Sequence, residues 1–206
     1  MLELLSAPAF VLWGAPSSWL ELLAFVLALA MVGCNMFEIH WGWPLAIVSS
    51  LLYCAVFWGS RLYGDAALQI FFAVVALWGW RQWLRGASAA SAALHVSRLQ
   101  RSGRIRSLAT CAVLWPLTGA FLKNFTDTDV PWWDAFPTAC SVVGQFLLGR
   151  KYIENWIVWL LVNVVSVALF AYKGLWLTVI LYALFALLSV LGWRAWQTRM
   201  APITTP

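Results

Sequence analysis

The chain has 206 residues, 63% of them apolar and only 10% charged, with a mean hydropathy of +0.81. A soluble domain is nearer half apolar and a quarter charged, so this chain has too few charges to cover a water-facing surface and reads as a membrane protein. The net charge of +5 lies mostly in loops beside apolar segments, which suits orientation in a membrane and argues against nucleic-acid binding.

A membrane span needs roughly 20 apolar residues, and seven such segments are predicted. The first runs about 18–37, opening at Ser18 and Glu21, the second about 41–60, and the third about 65–84. A polar linker rich in Ser, Ala and Arg follows from Arg85 to Arg106. The fourth span covers about 107–124, with a kink expected at Pro116. A loop containing Asp127, Asp129 and Pro131 leads to the fifth span at about 132–149, the sixth at about 152–172 and the seventh at about 174–196. The tail at 197–206 reads as disordered, and the N-terminus lacks the basic region of a cleaved signal peptide.

Basic residues fall unevenly between the two sides. Arg81, Arg85, Arg98, Arg101, Arg104, Arg106, Arg150, Lys151, Arg194 and Arg199 belong to one side, and Arg61, Lys123 and Lys173 to the other. The positive-inside rule then places the N-terminus outside and the C-terminus in the cytoplasm.

An internal repeat is also present. Gly79-Trp80-Arg81-Gln82-Trp83 recurs as Gly192-Trp193-Arg194-Ala195-Trp196, an offset of 113 residues. At the same offset Trp19 meets Trp132, Glu21 meets Asp134, Trp43 meets Trp156 and Phe72 meets Phe185. The expected fold is therefore an all-α membrane protein with seven transmembrane helices in a 3+1+3 parallel repeat. Residues 18–84 form the first three-helix unit and 132–196 the second. The stretch 85–131 holds the cytoplasmic linker, the joining helix and an external loop.

Polar groups inside spans are expensive without partners, so their placement carries the functional reading. Tyr152, Trp156, Trp159, Asn163 and Ser166 are spaced to form one stripe on the sixth span. Asp134, Thr138, Ser141 and Gln145 form another on the fifth, and Asp65 and Gln69 lie one turn apart on the third. Stripes that converge would line a wet cavity for a solute near mid-membrane; stripes that do not would be helix–helix packing. Glu154 is expected to pair with Arg150 one turn away. The second half carries the larger recognition groups, since Ala46 stands where Trp159 stands, Ser50 where Asn163 stands, and Gln69 where Tyr182 stands.

Cys34, Cys54, Cys111 and Cys140 each sit in an apolar segment without CxxC spacing and read as small buried hydrophobes. His40 and His95 lie far apart, so a metal site is not expected, nor is any cofactor. Nucleophile-elbow, zinc-protease and phosphate-loop motifs are missing, so an enzyme is not expected either.

Pro131-Trp132-Trp133-Asp134-Ala135, Ser141, the run Arg150-Lys151-Tyr152-Ile153-Glu154-Asn155-Trp156-Ile157-Val158-Trp159, and then Asn163 and Ser166 resemble the PnuC family of nicotinamide riboside transporters. Leu62-Tyr63, Gln69 and Gly79-Trp80 match the same family's first half, so the resemblance runs from about Glu21 to Trp196. It implies a SWEET-like 3+1+3 homotrimer in the bacterial inner membrane, embedded in lipid. Such a protein moves unphosphorylated nicotinamide riboside by facilitated diffusion, and a cytoplasmic riboside kinase traps the product for NAD synthesis. The extra N-terminal helix of some members is absent here, consistent with an external N-terminus.

Under that resemblance Trp156 and Trp159 would stack on the cationic ring. Asn163, Gln145 and Gln69 would hydrogen-bond the amide or ribose, Tyr63 and Tyr182 would close the cavity, and Ser141 and Glu154 would complete the lining. Related members are associated with thiamine or riboflavin. A sister vitamin transporter, a SWEET-like sugar transporter and a non-transporting helix bundle are the competing expectations.

Overall fold

The computed structural model describes residues 8–59, 63–86, 94–126, 128–174 and 176–200. Among these residues the chain forms a short antiparallel hairpin, β1 (Pro8–Leu12) and β2 (Ala15–Ser18), followed by seven helices. They are α1 (Trp19–Met36), α2 (Gly42–Gly59), α3 (Tyr63–Gly86), α4 (Arg101–Phe125), α5 (Pro131–Gly149), α6 (Asn155–Tyr172) and α7 (Trp176–Arg199). Helices α1, α4, α6 and α7 are each long and apolar enough to cross a membrane. Consecutive helices pack on each other within α1–α2–α3, within α4–α5 and within α5–α6–α7; in addition α1 packs on α7 and α3 on α5.

The helix limits depart from the sequence expectations in three places. Helix α4 begins at Arg101, not near 107, because the arginines of its first turns sit on an exposed face where helix costs them no burial. Helix α6 begins at Asn155, not 152, because residues 150–154 are used to cap α5 and turn the chain. The hairpin was not foreseen; it turns at Trp13 and Gly14, both at positive φ (45° and 87°), the pairing a tight hairpin turn demands. The tail expected to be disordered falls, from residue 201 on, outside the described residues.

The end of α1 and the end of α5 are built alike. Ile39 N–H bonds the carbonyl of Cys34 and Glu38 N–H that of Asn35. Tyr152 N–H bonds Leu147 and Lys151 N–H bonds Leu148 in the same pattern, displaced by 113 residues. Each is a Schellman cap, which puts one residue in the left-handed region, usually Gly. Here the residues are Glu38 (φ 58°) and Lys151 (φ 54°), each at a backbone cost of roughly 1–2 kcal/mol.

The packing beyond the caps repeats at the same offset. The Trp43 ring lies on Gly79, where an added Cβ would come 2.3 Å from it, and meets Trp83 edge-on at 5.5 Å and 84°. The Trp156 ring lies on Gly192, where a Cβ would come within 2.6 Å, and meets Trp196 at 5.5 Å and 87°. The two sets then exchange hydrogen bonds: the Trp83 indole N–H donates to the carbonyl of Leu148, and the Trp196 indole N–H to that of Asn35. The main buried cluster, with Met36, Trp43, Trp83, Leu148, Ile153, Trp156 and Trp196, therefore sits at one end of the molecule.

That end also carries the arginine-rich segments. Residues 94–100 run extended across it, with Ser97 N–H on the Lys151 carbonyl and Ile153 N–H on that of Ser97. The opposite end is held by smaller contacts. Trp13 of the hairpin meets Trp176 edge-on, Thr128 donates to the Asp134 carboxylate, and Lys173 donates to Asp129 at 2.7 Å. The Lys173 ammonium holds the exposed Asp129 carboxyl below its ordinary range. Helix α4 is the least covered element: Ile105, Leu108, Val113, Leu117, Phe121 and Phe125 are all exposed, as lipid or a further subunit would require.

Candidate solute site

The polar stripe of α5 and that of α6 meet through a small residue. Gly144 presents bare backbone to α6, and the Trp159 indole lies against it, with Cε2 and Nε1 3.2 and 3.4 Å from where a Cβ would stand. Ser141 lies one turn before Gly144 on α5, and Gln145 one turn after Ser141. Ser141 is 5% and Gln145 8% exposed, and among the described residues neither side chain has a hydrogen-bond partner. Buried polar side chains nearly always have partners. The polar atoms of Ser141 and Gln145 keep some exposure, unlike Asn155 Oδ1 and the Trp156 indole N–H, which are fully buried without a partner among the described residues, so water or a solute can reach them.

Asn163 extends this surface toward α7. Its amide N–H donates to Ser189 Oγ at 3.2 Å, and Ser189 in turn donates to the Phe185 carbonyl at 2.8 Å. This orients the Asn163 side chain and leaves its carbonyl oxygen without a donor among the described residues. Ser166, one turn further on, is buried as well. Tyr182 lies two turns before Ser189 on α7, packed on Phe170 at 5.0 Å and Phe185 at 5.7 Å. It is within electrostatic reach of Tyr53 on α2, which also senses Glu21 on α1. Tyr53 and Glu21 are two residues that the sequence reading did not place in a site. Their signal was available, since Tyr53 stands at the same repeat position as Ser166.

The remaining expected residues differ in what the structure shows of them. Trp156 is 3% exposed, with its ring taken up by Gly192 and Trp196, so the structure gives it to the packing cluster and leaves Trp159 as the accessible ring. Glu154 does not pair with Arg150. Residues 150–154 form turns, so the helical spacing that would join the two is missing. The Glu154 carboxylate instead accepts from Leu99 N–H at 3.0 Å and from Arg104 at 3.1 Å, fastening the extended segment and the start of α4 to α6. Gln69 is half-buried on α3 and unpaired among the described residues. Tyr63 opens α3, and its side chain lies outside the described residues. Asp134 and Thr138, the outer part of the α5 stripe, are occupied with the incoming loop: Asp134 accepts from Thr128, and Thr138 donates to the Asp134 carbonyl.

The groups that the packed helices α5 and α6 offer are a Trp face, an oriented Asn carbonyl, a Gln amide and a Ser hydroxyl, with the arginines and lysines of the described helices toward helix ends. They suit a flat, hydrogen-bonding, unphosphorylated molecule better than an anion.

The sequence profile described as nicotinamide mononucleotide transporter matches residues 18–198. The nicotinamide riboside transporter PnuC of Escherichia coli (strain K12) is 26% identical over 207 residues, covering 89% of this chain and 87% of the relative. The riboflavin/roseoflavin transporter RibM of Streptomyces davaonensis is 29% identical over 197 residues, covering 95% and 92%. A crystal structure of the vitamin B3 transporter PnuC has the same fold, with a TM-score of 0.73 and 21% identity, covering 87% of this chain and 81% of that one.

Proposed function

The chain belongs to the nicotinamide mononucleotide transporter family, and on that premise we propose that it moves unphosphorylated nicotinamide riboside across the membrane. It is a multi-pass membrane transporter and not an enzyme. The observation that carries the choice of solute is the Trp159 ring against Gly144 of α5, on packed helices that also carry Ser141, Gln145 and the Asn163 carbonyl, each without a partner among the described residues. A cationic nicotinamide ring stacks on an indole with a cation–π contribution of ~0.5–2 kcal/mol. Its carboxamide and ribose hydroxyls supply the donors and acceptors that the three polar groups lack.

The phosphate decides between riboside and mononucleotide. A phosphate entering this site would lose its water with no arginine or lysine beside it, at several kcal/mol per buried charge. The arginines and lysines of the described helices stand toward helix ends. The riboside therefore passes and the nucleotide is rejected. Exclusion of the phosphorylated form is also what makes a cytoplasmic kinase an effective trap, drawing facilitated diffusion inward for NAD synthesis.

Contacts recurring at one offset support two three-helix units, α1–α3 and α5–α7, joined by α4 in a 3+1+3 parallel repeat of SWEET-like design. The two units rock about the solute. The arginine bias supports a cytoplasmic C-terminus in a bacterial inner membrane, and the exposed apolar face of α4 supports contact with lipid or with further subunits of a homotrimer.

Riboflavin is the second reading, favoured by the Streptomyces relative, whose ring system would also stack on Trp159. Calorimetric titration with nicotinamide riboside, its mononucleotide, riboflavin and thiamine separates the cases. Binding of the riboside alone is expected. Binding of riboflavin or thiamine in its place keeps the site and moves the solute, and binding of the mononucleotide equal to that of the riboside refutes the phosphate argument.

A further inference from the structure

We propose that Glu38 and Lys151 form the inner gate of the transport cycle, an ion pair between the two three-helix units that parts when the solute leaves at the arginine-rich end. The proposal deepens the alternating-access reading above and rests on it. Its starting point is a coincidence of position. Glu38 and Lys151 are separated by 113 residues, the repeat offset itself, so each is the other's counterpart. They meet across the boundary between the units with the Lys151 ammonium 2.7 Å from the Glu38 carboxylate. An interaction between counterparts falls on the axis that relates them, where relative rotation of the units must either pivot or separate.

The backbone shows that these side chains are required. Both occupy the left-handed cap position that glycine fills without strain, and neither is glycine. Nothing in the capping hydrogen bonds needs a carboxylate or an ammonium, so the charged side chains are there for each other. Both are largely covered, with side-chain exposures of 21% for Glu38 and 13% for Lys151, so solvent screens the pair less than it would a surface bridge.

The pair also crowns a closed layer. Lys151 Nζ stands 4.8 Å from the centre of the Trp83 ring, and the other Glu38 oxygen lies 3.6 Å from Arg199 at the end of α7. Trp83 and Trp196 lie 6.5 Å apart, each donating its indole N–H to a carbonyl of the opposite unit. A solute leaving between the units at this end has to separate Trp83 from Leu148 and Trp196 from Asn35, and the ion pair with them. At the opposite end Thr128 with Asp134 and Lys173 with Asp129 fasten the loop before α5 to the second unit, and the hairpin before α1 meets α7 through the edge-on rings of Trp13 and Trp176.

The test uses the full-length protein with its four native cysteines replaced by serine. In the first arm Met36→Cys, at a position buried in the layer, serves as the reporter, and a membrane-impermeant maleimide is applied to vesicles from each side. Glu38→Gln or Lys151→Gln is expected to raise labelling from the arginine-rich side several-fold and leave labelling from the other side unchanged. In the second arm Glu38→Cys and Lys151→Cys are bridged by a short reducible bifunctional thiol reagent. Riboside flux is expected to stop and to return on reduction, while riboside binding measured by calorimetry persists. Labelling equal in parent and neutralised proteins, or flux that continues in the bridged protein, overturns the proposal. The labelling arm needs no solute, so a wrong choice of vitamin shows as lost binding in the parent and leaves the gate result readable.

Discussion

Asn163→Ala is the substitution that tests the solute site most directly. Asn163 is 3% exposed and spends its N–H on Ser189, leaving its carbonyl without a donor among the described residues and, in the proposed site, open to the solute. Truncation removes one neutral hydrogen bond, a net loss of about 0.5–1.5 kcal/mol of stability. It orphans nothing in the protein, because Ser189 keeps its bond to the Phe185 carbonyl. The solute loses more. A riboside donor buried against α6 would have no acceptor, at about 1–3 kcal/mol, which weakens Kd by roughly 5- to 150-fold. Ser189→Ala has the opposite signature. It strands the Asn163 N–H, at about 1–3 kcal/mol of stability, yet leaves the carbonyl in place. Calorimetry gives the affinities and thermal unfolding in detergent gives the stabilities. The reasoning predicts that Asn163→Ala is an affinity variant and Ser189→Ala mainly a stability variant. If Asn163→Ala binds riboside as tightly as the parent, or if both lose affinity equally, the Asn163–Ser189 pair is only a packing contact and the site is elsewhere.

Three further outcomes follow from the same geometry. Gly79→Ala and Gly192→Ala each drive a methyl into a buried Trp ring, so each should cost about 1–3 kcal/mol in thermal unfolding, and the two should be alike if the repeat is structural. Glu154→Gln should change little, since the Arg104 partner is exposed and a Gln oxygen still accepts from Leu99; Glu154→Ala strands that N–H and should lower stability by about 1–3 kcal/mol, with riboside Kd unmoved in both. Asp129 has its carboxyl pKa lowered by Lys173, so the tie it makes should be fully present above the ordinary carboxylate range and lost only as the pH falls through the depressed value; chemical shifts of a labelled Asp129 followed down in pH would show this, and titration at the ordinary carboxylate value would contradict it.

The helices were legible in the sequence because apolar length is a direct physical requirement of a bilayer. The repeat was legible because Trp and Gly are informative letters: Gly79 and Gly192 are where Trp43 and Trp156 must lie, and no other residue leaves room. The periodicity of α6 likewise placed Trp159 and Asn163 on one face. What periodicity could not settle was depth and partnership. Trp156 shares the stripe of Trp159, yet it belongs to the packing layer, and only the position of Gly192 and Trp196 on another helix decides that. Glu154 was assigned to Arg150 by a helical rule that fails where the chain is turning, and its partner Arg104 lies 50 residues away. Tyr53 is visible only through the repeat, standing where Ser166 stands in the second copy, because the approach of α2 to Tyr182 leaves no trace in local spacing.

The same comparison explains how one duplicated design can be symmetric in motion and asymmetric in recognition. At the arginine-rich end the two units keep the same parts, since caps, Trp–Gly contacts and exchanged indole bonds all recur at one offset. Under the proposed rocking, the two units need matching surfaces there, and a change in one copy would have to be matched in the other. In the middle of the span the counterparts differ. Trp159 lies on Gly144 in the second unit, where the first has Ala46 and Met31, so large and small have changed places; Ser189 and Asn163 answer to Ala76 and Ser50. A vitamin has no two-fold symmetry, so a site on the pseudo-axis can fit it only by giving up the symmetry of its lining. The repeat therefore survives at the arginine-rich end and disappears in the middle of the span, where the proposed solute site lies, which makes the loss of repeat matching itself a sequence marker for such a site.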